Sequence, residues 1–364
     1  MTAPRLEIDV GAIAHNARTL VDRLAGRGIS VTGVTKAVLG DAEIVQALIR
    51  SGVRTLGDSR VENLETMRTA GIETRMALIR SPMLSQVDRV VRAADVSFNT
   101  EMRIIAALSS AAGRRRTTHG IVLMVELGDL REGIMPADLL TAAADVHRLP
   151  DLRLVGIGTN LACRSGVVPD DEKMAELSAL ARAVEAALGV TLEVVSGGNS
   201  ANLGWALGPG TVGRIDDLRI GEAILLGHDP LDRRPIAGLR TDAFTIVAEV
   251  IESRIKPSLP WGRTAQTAFG EPVAAVDIGS RAQTILALGQ QDTDPLGLEP
   301  PTGTTILGAS SDHLIVTSDS SVSVGAELRF RPNYSALLRA MTSPTVAKVF
   351  VPSPDLSTAG SPAG

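Results

Sequence analysis

The chain has 364 residues, 44% of them hydrophobic, with a formal net charge of -5, one cysteine and one tyrosine. That length suits a large barrel with a smaller domain beside it. The acidic balance excludes the basic footprint of a nucleic-acid binder, and no cationic amphipathic stretch or run of eighteen apolar residues offers a membrane surface or span, so the expected ligand is small. The lone thiol, Cys163, excludes an internal disulfide framework and cysteine zinc clusters, no metal site is expected, and MTAPRLEIDVGAIAHN lacks a signal-peptide layout, which together predict a cytoplasmic protein.

Taken in order, the chain opens with a short strand-like run and then sets Ile13, Ala17, Leu20 and Leu24 at helical spacing, ending at Gly26 and Gly28. Residues 29–40, ISVTGVTKAVLG, form a β-branched run that delivers Lys36 to its carboxyl end. An ammonium in apolar surroundings is costly, so a lysine there tends toward the neutral, nucleophilic amine that Schiff-base chemistry needs. An ordinary lysine whose stem packs on the strand and whose head reaches water is the plain alternative. An alternation follows. RTLGDSR, TRMALIR, VSFNT, HGIVLMVEL, LRLVGIGTN and TLEVVSGG read as strands, and DDLRIGEAILLG closes the series. Between them lie helical runs such as GDAEIVQALIRSG, LSQVDRVVRAA, EMRIIAALSSAAG, PADLLTAAADVH and DEKMAELSALARAVEAALG. About eight strands, each followed by a helix or turn, predict a (β/α)8 TIM barrel over residues 1–235. Residues 236–352 change texture: AFTIVAEVIESRIK, EPVAAVDIGS, AQTILALGQ, TTILGASSDHLIVT and GAELRFRP are strand-like and separated by turn residues, predicting a mainly β carboxyl-terminal domain. Residues 353–364, small and rich in Pro and Gly, predict a disordered tail.

Active sites of such barrels sit at the carboxyl ends of the strands, and four further stretches fall there with Lys36. VELGDLREGI carries Arg131, whose guanidinium can grip a carboxylate in bidentate fashion. GIGTNLAC carries Asn160 and Cys163. VSGGNSANLG carries Gly197, Gly198, Asn199 and Ser200, a candidate phosphate cradle of backbone N–H groups and a hydroxyl, and DDLRIGEAILLG carries Arg219, Gly221 and Glu222. Taken singly, each has an ordinary reading: a capped turn, a structural ion pair, a satisfied loop amide, a small apolar thiol. Their agreement of position is what points to one site.

VTKAVLG, LGDLREGI, GIGTNLAC, SGGNSANL, LRIGEAILLG, LGASSDHLIV and PNYSALL together resemble the alanine racemase-like enzymes of fold type III, which use pyridoxal 5'-phosphate (PLP), and most closely their ornithine or amino-acid racemase branch. The resemblance covers nearly the whole chain. It implies Lys36 as Schiff-base lysine and catalytic base, and Asn160, Ser200, Arg219, Gly221, Glu222 and Tyr334 as cofactor-binding residues. In these roles Ser200, the Gly221–Glu222 backbone and Tyr334 meet the phosphate and Arg219 faces the ring nitrogen. It implies Arg131, Ser311 and His313 near the substrate, and a homodimer whose β domains close each other's barrel.

Three departures from alanine racemase follow from the same alignment of motifs. Met124 stands where a carbamylated lysine supports the arginine, Gln290 stands where the second catalytic tyrosine is expected, and Asn160 replaces a histidine. An acid opposite Lys36 is then drawn from Asp292, Asp312, His313 and Cys163, with Asp292 or Asp312 favoured. The expected activity is racemisation of a free amino acid, ornithine or another basic one. The rivals are a fold type III decarboxylase, a non-catalytic PLP-homeostasis protein, and a degenerate racemase with a structural or regulatory role.

Overall fold

The computed structural model describes residues 2–270, 276–277, 279–318 and 322–352. The chain forms two compact units: one holds the start of the chain through Val10 and the residues from Asp242 onward, the other runs Gly11–Thr241. The expected tail, 353–364, and most of the strand expected over 271–280 lie outside the described residues.

The chain begins with β1 (Arg5–Asp9) and α1 (Val10–Ala25), and the second unit then closes as a barrel. Its staves are β2 (Ser30–Val34), β3 (Thr55–Asp58), β4 (Arg75–Leu78), β5 (Val96–Asn99), β6 (His119–Met124), β7 (Leu152–Gly158), β8 (Val194–Ser196) and β9 (Asp217–Ile220), all parallel, with β9 returning to β2. The crossovers are α2 (Ala42–Arg50), α3 (Val61–Thr69), α4 (Val87–Ala93), α5 (Met102–Arg115), α6 (Leu139–Arg148), α7 (Asp171–Leu188) and α8 (Leu203–Ala206), with α9 (Glu222–Leu226) after the last stave. The staves read as apolar runs because both their faces are covered: β5 and β6 are buried at every residue. Inside, Ala77, Val96, Phe98, Val122, Met124 and Val155 pack as one cluster, so the barrel interior is a core and not a pore.

Helix α7 carries its own start and stop signals. In α7, the Asp170 carboxylate accepts the Lys173 N–H at 2.8 Å, Met174, Leu177, Ala181 and Val184 form the buried stripe, and Gly189 ends it in the left-handed conformation. The helix α3 is absent from the sequence expectation. It buries Val61, Leu64 and Met67 but also Asn63, so its apolar stripe is broken.

Among the described residues, the other unit is an eight-stranded sheet. It contains β10 (Phe244–Pro257), β11 (Ser280–Leu286), β12 (Leu298–Glu299), β13 (Thr304–Ala309), β14 (Leu314–Ser318) and β15 (Glu327–Pro332) in the order β12-β15-β10-β11-β14-β13. Helix α10 (Tyr334–Thr342), capped by Asn333, leads to β16 (Ala347–Val351). Strand β1 belongs here: it lies antiparallel to β10, with Leu6 opposite Ile246, and parallel to β16, with Ile8 opposite Phe350. The helix and the final strand of this unit were not foreseen from its β-rich texture.

Candidate active site

Lys36 sits at the carboxyl end of β2, the first barrel stave, half-buried, and its backbone is tightly held. Thr35, fully buried, donates its N–H to the Gly57 carbonyl at 2.9 Å and its Oγ1 to Asp58 Oδ2 at 2.7 Å. Asp58 spends its other oxygen on the Arg60 N–H and Asn63 Nδ2, at 2.9 and 3.0 Å. Burial pushes the Asp58 carboxyl up, and these donors pull it back. Lys36 then opens a 3-10 turn that closes through Leu39 and Gly40, both at positive φ. A rigid strand end therefore carries the amine to the barrel mouth.

The loops after β8 and β9 are stitched into one surface. Gly198 is at φ +145°, and a Cβ there would lie 2.1 Å from Asn202 Oδ1, so the turn requires glycine. Asn199 Oδ1 accepts the Ala201 N–H at 2.8 Å while Asn202 Oδ1 accepts the Asn199 N–H at 3.1 Å, a reciprocal cap. Across the loops, the Arg219 N–H donates to Gly198 O at 2.9 Å, and Ser200 Oγ accepts the Ala223 N–H at 3.2 Å. Glu222 is ion-paired with Arg233; burial raises its carboxyl, while Arg233 and Lys36 oppose that rise. Ser200, Gly221 and Glu222 thus share one corner.

Arg219 lies in the barrel, 5% exposed, with its guanidinium carbon 5.1 Å from the Phe98 ring centroid. Its Nη1 donates to Ser196 Oγ at 2.6 Å, and its Nη2 to Thr159 O at 2.7 Å and Asn160 Oδ1 at 3.2 Å. Burial pushes this guanidinium down to about 10, against the pull of Asp217. Asn160 Oδ1 also accepts from Asn199 Nδ2 at 3.1 Å. Two donors on that oxygen fix the amide orientation, and they leave Asn160 Nδ2 a buried donor with no protein partner.

Arg131 is presented by a loop folded back on β6. Ile134 N–H donates to Met124 O at 2.7 Å, and Glu126 N–H to Ile134 O at 3.0 Å. A Cβ on Gly133 would lie 2.3 Å from the Glu126 nitrogen, so only glycine lets the two backbones approach this closely. Buried Asp129 accepts the Arg164 and Ser165 N–H groups at 2.9 and 3.0 Å, tying this loop to the one after β7. Arg131 pairs with Glu132 and also donates to Cys163 Sγ. Met124, expected from the resemblance to replace a supporting lysine, is packed in the barrel core.

The remaining candidates are in the β unit. Asp292 is buried; its Oδ2 accepts the Gly289 N–H at 2.9 Å and its Oδ1 the Thr345 hydroxyl at 2.5 Å. Both oxygens therefore hold a turn. Gln290 and Gln291 donate their N–H groups to Ser310 O and Ser311 O at 3.0 Å, joining that turn to the 310–313 loop. On that loop Asp312 is exposed and accepts from His313 Nδ1 at 2.8 Å, which holds its carboxyl below the ordinary range. Ser311 donates to the same oxygen at 3.2 Å. Tyr334 begins α10, half-buried.

The barrel mouth brings together Lys36, Asn160, Ser200, Arg219, Gly221 and Glu222, with Arg131 and Cys163 on adjoining loops, while Asp292, Ser311, Asp312, His313 and Tyr334 belong to the other unit. Sequence reasoning did not identify Thr35, Asp58, Ser196 or Asp217. Only the two-residue spacing of Asp217 and Arg219, which puts both on one face of a strand, could have marked one of them. Among the described residues no group of His, Cys, Asp and Glu could hold a metal, and no helix is long and apolar enough to cross a membrane.

Residues 8–229 match the family model described as the alanine racemase N-terminal domain. The chain is 40% identical to the lysine racemase of Thermotoga maritima over 97% of its own length and 100% of the relative's. It is 38% identical to the ornithine racemase of Acetoanaerobium sticklandii over 95% and 99%. Among solved structures, the alanine racemase of Bartonella henselae with covalently bound pyridoxal phosphate superposes with a TM-score of 0.73 at 19% identity, covering 96% of this chain and 100% of that one.

Proposed function

This chain belongs to the alanine racemase family, and from that membership we propose a PLP-dependent racemase that interconverts the L and D forms of a free basic amino acid, lysine or ornithine. The cofactor is pyridoxal 5'-phosphate. The observation that carries the reading is the gathering of Lys36, Asn160, Ser200 and Arg219 at one barrel mouth, in a chain 40% identical to a lysine racemase along nearly its whole length.

The residues present fit the cofactor. Asn160 Nδ2 is a buried donor awaiting an acceptor, and the glycine turn with Ser200 leaves a hydroxyl and backbone donors beside Gly221 and Glu222 for a phosphate. In this reading Arg219 would face the ring nitrogen. When bound, PLP holds the substrate amine and withdraws electrons from its α-carbon, which acidifies the Cα–H.

The protein's own work is positioning and proton transfer. Lys36 Nζ takes the α-proton on one face and returns one there in the reverse direction. Arg131 grips the substrate carboxylate with its fork, releasing Glu132 as it does so, and the Ser311 backbone of a second copy of the chain would meet the same carboxylate. Arg219 is a cation that does not readily yield a proton, so it restrains electron withdrawal into the ring and favours return of the proton over side reactions. For the opposite face we favour Asp312 with His313, because both Asp292 oxygens already hold their turn. We further propose a homodimer in which these β-domain residues are supplied by the second copy.

The test is α-proton exchange followed by NMR in deuterated water, with the PLP-loaded protein and a panel of L- and D-amino acids including lysine, ornithine, serine and alanine. Exchange with lysine or ornithine, accompanied by the opposite enantiomer, is expected. A PLP-loaded protein that exchanges no amino acid would overturn racemisation, and exchange confined to alanine or serine would overturn the basic substrate.

A further inference from the structure

Beneath Arg219 the barrel interior holds a carboxylate that the mechanism above does not use. Asp217 and Arg219 are two residues apart on β9, so both side chains point to the same face of the stave. Asp217 is 4% exposed and Ser196, on the neighbouring stave β8, is fully buried. Ser196 Oγ lies 2.5 Å from Asp217 Oδ2 and 2.6 Å from Arg219 Nη1, and Thr32 Oγ1 lies 2.6 Å from Asp217 Oδ1.

The protons on this chain are fixed by inventory. A guanidinium only donates, so Ser196 Oγ must accept from Arg219. Its single proton then goes to Asp217 Oδ2, and Thr32, with one proton of its own, donates to Oδ1. Both carboxylate oxygens accept, which is the pattern of an ionised group. A buried arginine whose other partners are a carbonyl and an amide oxygen needs such a counter-charge.

We propose that Asp217, acting through Ser196, is a positioning residue that fixes the orientation of the Arg219 guanidinium and offsets its charge toward the cofactor ring. The inference rests on the PLP-racemase reading and adds to it the source of the field at Arg219. Among the described residues, few titratable groups act on the pair. Arg131, Glu132 and Cys163 act on Arg219 from the loops after β6 and β7, and Arg75 acts on Asp217 from the start of β4. Burial raises the Asp217 carboxyl overall, and Ser196, Thr32 and Arg219 oppose that rise without reversing it; the ionised form is read from the direction of the hydrogen bonds. The Phe98 ring against the guanidinium adds attraction but no negative charge to balance it.

The test uses PLP-loaded wild type, Asp217→Asn and Ser196→Ala, reading the visible absorption band of the bound cofactor against pH alongside kcat and KM. Asp217→Asn keeps an acceptor and removes the charge. The site becomes more positive, so the midpoint of the cofactor's titration should fall by roughly one pH unit. Ser196→Ala keeps the charge and breaks the relay; kcat should fall roughly tenfold with KM nearly unchanged, and the midpoint should move less than in Asp217→Asn. An Asp217→Asn holoenzyme whose midpoint stays at the wild-type value overturns the proposal. Should that variant fail to fold, Ser196→Ala with wild-type kcat overturns it instead. A wild-type protein that takes up no PLP overturns the underlying reading, an outcome separate from both.

Discussion

Thr35 Oγ1 donates to Asp58 Oδ2 at 2.7 Å, so the residue immediately before the candidate Schiff-base lysine is clamped to a buried carboxylate on the neighbouring stave. The clamp makes Thr35→Val a sharp test, because valine matches the shape and removes only the donor. The variant should lose about 1–3 kcal/mol of stability from the under-satisfied carboxylate. Urea unfolding measures that loss. Its kcat should fall roughly tenfold as Lys36 loses its fixed entry to the site. Wild-type kcat with reduced stability would confine the clamp to folding.

Lys36→Ala should abolish both racemisation and the visible band of the lysine-bound cofactor, while PLP still associates weakly through the phosphate loops. Absorbance spectra and chiral chromatography read the two effects independently. Retained turnover would remove Lys36 from the mechanism.

Arg131 and Gly133 probe the carboxylate grip from two directions. Arg131→Lys keeps the charge and loses the fork, and KM should rise on the order of tenfold to a hundredfold. Gly133→Ala leaves the arginine in place but drives a methyl into the Glu126 backbone, which must move to admit it. The loop then mispositions Arg131, and KM should rise in the same direction. Steady-state kinetics with the racemised substrate decide both.

His119 gives a pH dependence of stability unconnected with catalysis. It starts β6 at the end of the barrel away from the mouth, buried, with Nε2 2.8 Å from Ser97 Oγ, and burial pushes its pKa down to about 4. The unfolded chain binds a proton near pH 6.5 and the folded one only near pH 4. Stability should therefore fall as pH drops through that window, by up to about 3 kcal/mol. Above pH 6.5 both states are neutral there and the contribution is level. Chemical denaturation at pH 7 and pH 4.5 should show a smaller difference in His119→Asn than in wild type.

The barrel was legible because its staves are buried on both faces and appear as apolar runs at regular spacing, each ending in residues too polar or too small to continue it. Lys36, Arg131, Asn160, Ser200 and Arg219 drew notice in the sequence as polar residues in the last positions of those runs or in the loops that follow them. The layer beneath them did not. Thr32, Asp58, Ser196 and Asp217 are polar side chains inside a core, and by local pattern a polar residue on a strand points to solvent. What keeps them inside is pairing between staves far apart in sequence, such as Thr32 with Asp217. Strand β1 escaped for a related reason. Followed at once by a helix, it looks like the opening of the barrel, yet its partners β10 and β16 lie near the other end of the chain.

That placement has a consequence for the order in which the protein is made. At ordinary rates of synthesis, on the order of ten to fifty seconds separate the emergence of β1 from that of β10. Leu6 and Ile8, destined for full burial, wait through the birth of the entire barrel before the sheet that shelters them exists. An expression plasmid whose reading frame begins at Gly11 would spare every stave and yet leave facing edges of β10 and β16 unfilled. Inclusion bodies from such a clone would report a missing strand of the β domain, not a damaged barrel.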